Sequence, residues 1–321
     1  NTAVGSGAGG KITTGAQNVF VGRSANKEGT TCNDCVCIGD RAGDGNTGNQ
    51  NTFIGGRAGA AGGNGGGTMN VGIGFWSLYA TGTADADYNT AVGAYSMENN
   101  TSGSSNVAVG YEALEENTTG QFNVAVGRNA LTTASTASNN TALGYNTLNA
   151  NTTAQNNTAI GHNCLDANTT GDDLVGVGQA ALTANTTGSR NTAVGRQALT
   201  ANTTGDNNTA VGQGAGDSIT TGSENTAVGQ GAADAITTGS NNTCLGHDSG
   251  RTSSPSGNIT TGSNNFVLGN NSVGNLYCAD TSISSSDARD KTDVEDFKYG
   301  LSWITALRPV TYRWDRRTWY G

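Results

Sequence analysis

Apolar and polar positions along this chain recur at a fixed spacing set by a glycine. The glycine closes the motif Asn-Thr-Ala-Val-Gly, intact at Asn1–Gly5, Asn89–Gly93, Asn191–Gly195, Asn208–Gly212 and Asn225–Gly229, and from Gly93 to Gly246 it returns every 17 residues. With this glycine as position 0, position −1 is Val, Ile or Leu in all sixteen copies, and position −3 is Thr or Val except at Phe266. Residues two apart share one face of a strand, and β-branched residues suit a packed, pleated surface, so the pattern predicts a short strand ending at each glycine. Position −2 is mostly Ala, which predicts close approach of a neighbour on the strand's other face. Position −4 is Asn in fourteen copies, with Cys35 and Leu174 as the exceptions; identical Asn stacked at strand spacing form hydrogen-bonded ladders.

A second apolar point follows at positions +3 and +4, as in Ala113-Leu114 and Ala181-Leu182, and then Asn-Thr-Thr-Gly. Each coil therefore reads as two short strands joined by Gly/Asn corners, where positive φ is tolerated. Four coils carry Gly9, Gly216, Ala233 or Gly250 in place of the Leu, and the same coils carry Ile12, Ile219, Ile236 or Ile259 further on. One large side chain lost and regained points to a single shared cavity. A strict period of this length means stacked coils rather than an ordinary globular core. The expected fold is all-β: a β-solenoid of about 16 coils over residues 1–274, followed by a linker at 275–285 and a short α+β segment at 286–321. A chain coiling on itself rises roughly 4.8 Å per coil and about 75 Å in all; three intertwined chains would give about 230 Å. Self-coiling is the expectation.

Formal net charge is −9; residues 286–321 hold 7 Lys/Arg and 6 Asp/Glu, or +1, which leaves −10 on the repeats. An acidic solenoid is a poor ligand for nucleic acid or an anionic membrane, and no stretch is apolar enough to span a bilayer. The chain begins inside a repeat, so a further segment upstream is compatible with it. Departures from the period are where recognition is expected. Phe75, Trp76 and Tyr79 fall in coils two residues longer than the rest, and position +1 forms a stripe that includes Tyr111, Arg128, Tyr145 and His162. Aromatic rings on a rod suit saccharides, which makes Phe75, Trp76, Tyr79, Tyr111 and Tyr145 the candidate ligand-binding residues; a widened contact between chains explains the first three as well. Residues Thr252 to Gly257, in a coil six residues longer than the period, read as a surface loop.

Cys32, Cys35 and Cys37 form C-x2-C-x-C, one ligand short of a four-coordinate metal clip within one chain. Cys37, Cys164 and Cys244 stand where other coils have Ala and read as small buried residues, while a disulfide within the first cluster is compatible with its spacing. His162 and His247 each stand alone in their coils. No metal, cofactor, Ser/His/Asp constellation or phosphate loop is expected.

Near Asn275 the composition changes. Phe297, Leu301, Ile304 and Leu307 lie on one helical face, Thr292 and Glu295 make a capping box, Pro309 stops the helix, and Val310, Tyr312 and Trp314 alternate as a strand.

The repeats resemble the head repeats of trimeric autotransporter adhesins and, more closely, Asn-Thr-Ala-Val-Gly repeats of bacteriophage tail fibres, a resemblance that implies a homotrimeric solenoid of the left-handed β-roll type. The run Ser286-Asp287-Ala288-Arg289-Asp290-Lys291, with the helix after it and Leu307–Trp314, resembles the C-terminal intramolecular chaperone of endosialidases and phage tail spikes. The resemblance implies a chaperone that trimerises, templates the fibre and cuts itself off between Ser286 and Asp287, with Ser286 and Lys291 as the catalytic dyad. A lysine that accepts a proton makes a serine hydroxyl a competent nucleophile. Asp290 departs from that family, which has an apolar residue there, and would hold Lys291 charged; the chain also stops at Gly321, short of most of the family's domain.

The implied function is a trimeric tail fibre or spike of a virion, extracellular, attached upstream to a phage tail protein and contacting a host-surface glycan or protein receptor. The rival readings are a cell-surface adhesin of the autotransporter type and a capsule-polysaccharide-degrading spike. The latter needs paired carboxylates, for which Asp85, Asp87, Asp172, Asp173 and Glu115-Glu116 are the only tight groupings in the repeats.

Overall fold

The computed structural model describes residues 1–60, 66–79 and 86–275. The chain divides into two units, Asn1–Gly274 and Asn275–Gly321. The first is a parallel β-solenoid. Among the described residues, sixteen three-residue strands run from Thr2–Val4 to Phe266–Leu268 and form one parallel sheet in chain order. Every strand pairs with its sequence neighbours, so the chain coils on itself. Equivalent positions stack: Val124 on Thr141, Ala125 on Ala142 and Val126 on Leu143. The longer coil before Gly269 keeps this register, with Thr243 on Phe266, and the additional residues bulge as a turn in which Gly257 N–H donates to Ser254 O at 2.9 Å.

The corner glycine makes this stacking possible. Gly127 has φ +139°, and a Cβ there would run into the carbonyl oxygen of Gly144 directly above it. Any side chain would separate the coils.

Two expectations about the coil are corrected. First, the inward and outward faces of the strand are exchanged. The −2 residues point into the coil: Ala91, Ala108, Ala125, Ala142 and Ala159 are fully buried, whereas Val109, Leu143, Ile160 and Val228 at position −1 remain more than a third exposed. Smallness at −2 answers to the narrow coil rather than to a partner chain, because Leu at +4 fills most of the interior; Leu114, Leu131, Leu148, Leu182 and Leu199 are fully buried. Where −2 is Phe, a glycine at +4 of the same coil (Gly59 for Phe53) or of the coil before (Gly9 for Phe20) makes room for the ring. A Cβ on Gly9 would meet Phe20 Cδ2 at 2.9 Å, and one on Gly59 would strike the Phe53 ring.

Second, no second strand forms among the described residues. Positions +2 and +4 adopt left-handed backbone, as at Asn129 (φ 57°) and Leu131 (φ 53°). That conformation costs a non-glycine residue about 1–2 kcal/mol. Bonds to both neighbouring coils offset it: Asn129 N–H donates to Tyr111 O at 3.0 Å and Leu131 N–H to Thr147 O at 3.0 Å. This side of the coil pairs up and down like a strand without extended geometry.

The shared cavity is as expected. Ile219 and Ile236 are fully buried and Ile259 nearly so, in coils whose +4 residue is Gly216, Ala233 or Gly250. The asparagine ladder also forms. Asn106 Nδ2 donates to Asn89 Oδ1 at 3.2 Å and to Gly120 O at 2.9 Å, and Asn106 N–H donates to the same Asn89 Oδ1 at 3.0 Å. A second ladder was missed in the turn sequence: Asn117 Nδ2 donates to Asn100 Oδ1, and Asn202 Nδ2 to Asn185 Oδ1, both at 2.8 Å. Where the next rung is Ala134 or Ile219, the buried Oδ1 of Asn117 or Asn202 is left without a donor.

Candidate functional site

The corner glycine's positive φ sends the +1 side chain off the surface, and stacking aligns successive +1 residues at coil spacing. Tyr111, Arg128, Tyr145 and His162 are all exposed. They form one ladder. The Arg128 guanidinium lies over both Tyr111 (5.6 Å) and Tyr145 (5.9 Å), and Tyr145 stacks on His162 at 5.3 Å with 14° between planes.

The ladder continues through residues the sequence pattern did not single out. Tyr95, at position +2, meets Tyr111 edge-on at 5.8 Å and Phe75 edge-on at 5.7 Å. Trp76 stacks on Tyr79 at 4.3 Å, and the Arg57 guanidinium covers Trp76 at 5.4 Å. The five expected ligand-binding residues, Phe75, Trp76, Tyr79, Tyr111 and Tyr145, therefore lie in one contiguous track, joined by Arg57, Tyr95, Arg128 and His162. Position +2 was legible as a feature only through its left-handed backbone, which the sequence alone does not reveal.

The geometry limits what the rings can do. Stacking on a sugar needs a free ring face, and Arg128 and His162 already occupy faces of Tyr145, while Arg128 occupies one of Tyr111. Edges and hydroxyls of these two remain for a ligand. The Trp76 indole Nε1 is buried and makes no hydrogen bond among the described residues. Neither Arg57 nor Arg128 has a carboxylate within ion-pair distance among the described residues, in contrast to Arg23 with Asp40 (2.7 Å) and Arg251 with Asp234 (2.8 Å).

Carboxylates flank the ladder. A hydrogen bond to Glu112 raises the Tyr111 phenol pKa. Partial burial, with Glu112, Glu116 and Glu98 nearby, pushes Glu115 up to about 7, and burial followed by Glu116 and Glu112 raises Glu98. Asp85 lies outside the described residues, and three further candidate acids serve the fold: Asp87 Oδ1 accepts from Thr68 N–H at 2.7 Å, Asp172 Oδ1 from Gln155 N–H at 2.6 Å and Asp173 Oδ1 from Asn156 Nδ2 at 3.3 Å.

Cys32, Cys35, Cys37, Cys164 and Cys244 are free thiols and buried. Burial pushes Cys164 up to about 12 and Cys244 up to about 11, as expected of small core residues. Cys32 and Cys35 share a hydrogen bond, which lowers Cys35 to about 7 and raises Cys32. Among the described residues no three His, Cys, Asp or Glu side chains are placed to hold a metal ion. No helix among them is long and apolar enough to cross a membrane.

Ser286, Asp287 and Lys291, and the expected helix and strand after them, lie outside the described residues. Residues 286–319 match the family model described as chaperone of endosialidase. No curated protein matches the chain.

Proposed function

We propose that this chain forms the shaft of a homotrimeric fibre or spike, extracellular and carried on a virion, whose C-terminal segment directs assembly and is then cut away. The observation that carries the reading is the chaperone match at residues 286–319, on the C-terminal side of the last coil.

The solenoid supports it. The outer face of the sheet bears two uncovered rows of side chains, at positions −3 and −1. Val124 is 37% exposed, Leu143 45% and Phe266 66%. A face with an unbroken row of Val, Ile and Leu beside a row of Thr and Val, about 75 Å long at strand spacing, is what a stable assembly buries. Three copies with their sheets turned to a common axis cover it with closed cyclic symmetry. The repeats explain the need for a chaperone: a slip by one coil presents almost the same contacts, so the chains need their ends fixed in phase before the coils pair.

In the cut, the Ser286 hydroxyl adds to the carbonyl carbon of the Ser286–Asp287 peptide bond as Lys291 takes its proton, the C–N bond breaks as Lys291 passes that proton to the Asp287 nitrogen, and one water then hydrolyses the ester. The products are a carboxylate at Ser286 and an amino terminus at Asp287. Loss of the nucleating segment then leaves a fibre that unfolds slowly. Attachment to a host-surface glycan or protein receptor is assigned to the exposed end of the aromatic track, the edge and hydroxyl of Tyr145 beside Arg128 and His162. A cell-surface adhesin of the autotransporter type shares the solenoid but does not account for the chaperone match. The polysaccharide-degrading reading is disfavoured by the structural use of Asp87 and Asp172.

Light scattering on the purified chain is expected to give three copies. On a denaturing gel, a full-length precursor carrying Ser286→Ala is expected to stay at full mass while the parent is cleaved; cleavage of that variant would sink the dyad.

A further inference from the structure

Each strand of the sheet ends in a corner. Position −5 opens it and position +1 closes it. Position −5 is polar in almost every coil, Gln17, Asn139 and Asn207 being typical. Its exceptions are Met69, Tyr88 and Phe122, which are 45%, 58% and 58% exposed. These belong to the coils of Gly74, Gly93 and Gly127. At the other corner, the aromatic side chains of positions +1 and +2, from Phe75 to Tyr145, belong to the coils of Gly74 through Gly144. Both corners thus turn apolar within the same few coils and stay polar or charged elsewhere. On one chain a strand of roughly 10 Å separates them, so neither corner covers the other.

A cyclic arrangement explains the coincidence. When three sheets face a common axis parallel to the coil stack, the three strands at any level follow one another head to tail. The closing corner of one copy then meets the opening corner of the next at the same height, a heterologous contact that closes into a ring. A glycan platform has no need of aromatic residues on the far corner, and an isolated chain gains nothing from matching their levels.

We infer that Phe75 and Tyr95 of one copy pack against Met69 and Tyr88 of the next, and that Phe122 meets the level Arg128 guanidinium, which lies over Tyr111, as an aromatic seam between copies of this chain. This rests on the trimer reading above. The seam adds something the aliphatic rows cannot: axial register. The −3 and −1 rows look alike after a shift of one coil, whereas a shift of several coils would set Tyr88 and Phe122 against Gln179 or Gln213. The chaperone brings the ends together, and the seam marks the one alignment in which the coils match.

Paired cysteines test it in the full chain. Tyr88→Cys with Ala94→Cys, and separately Phe122→Cys with Arg128→Cys, place thiols at opposite corners of one level. Mild oxidation with diamide is expected to give a covalent trimer on a non-reducing denaturing gel for both pairs. With Cys278→Ser in every variant, Tyr88→Cys with Gln179→Cys, offset by five coils, is expected to give none, as is the chain without introduced cysteines, whose Cys32, Cys35, Cys37, Cys164 and Cys244 are buried. A protein of three chains by light scattering that fails to cross-link at the level pairs, or links equally at the offset pair, overturns the seam and leaves the trimer standing. A monomer by light scattering overturns the trimer reading and the seam with it.

Discussion

Gly216 leaves the space that Ile219 fills: a Cβ at Gly216 would stand 3.0 Å from Ile219 Cδ1 and 3.0 Å from Leu199 Cδ2. Coils with Leu at this position, such as that of Leu199 (φ 51°), share the left-handed backbone of Gly216 (φ 60°), so the site accepts Leu once Ile219 is gone. Ile219→Asn alone is expected to cost about 2–4 kcal/mol through the cavity and the poorly bonded amide. Gly216→Leu alone is expected to cost about 1–3 kcal/mol by overpacking. The double substitution rebuilds the other coil type and is expected to melt near the parent; thermal unfolding of the three variants checks this, and additive losses would refute the shared cavity.

The asparagine ladder has a measurable weight. Asn123 Nδ2 donates to Ala137 O at 2.8 Å, and Asn123 Oδ1 accepts from Asn140 N–H at 3.0 Å. Asn123→Ala strands both partners in the interior, each at about 1–3 kcal/mol. A clear fall in melting temperature is expected, against almost none for the exposed Gln179→Ala. Equal melting of the two variants would show that the ladder is incidental.

The carboxylates beside Tyr111 predict a pH dependence. Glu115 is raised to about 7, first by burial and then by Glu112, Glu116 and Glu98, and Glu98 is raised for like reasons. A raised carboxyl pKa means that the folded state binds protons more tightly than the unfolded one. Its favourable contribution is present below the ordinary carboxyl range and is lost as pH rises from about 4.5 through about 7. Melting temperature is expected to fall between pH 5 and pH 8, and Glu115→Gln is expected to flatten that fall; an unchanged slope in the variant would assign the dependence elsewhere.

How much was legible in the sequence follows from what each position has to satisfy. The period, the strand before each glycine, the ladder of Asn at −4 and the exchange between Gly216 and Ile219 are repeated constraints, and repetition makes them readable without coordinates. The aromatic residues Phe75, Trp76, Tyr79, Tyr111 and Tyr145 were legible one by one because they break the repeat. That Arg128 would lie between Tyr111 and Tyr145, and that Tyr95 would join the two halves of the track, depends on the spacing between coils and on left-handed backbone at position +2.

By itself, then, the sequence determined that the chain stacks coils, where each coil turns and which side chains trade places, because those choices are local and recur. Which face of the strand lies inside is set by the coil as a whole. Val at −1 is more apolar than Ala at −2, and hydrophobicity alone would bury the Val. The coil is too narrow for that: Leu131 at +4 already occupies the interior, Ala125 fits beside it, and Val126 is turned outward. The limited volume inside one coil reverses the ranking and puts the most apolar rows of Asn-Thr-Ala-Val-Gly on the outer face of the sheet.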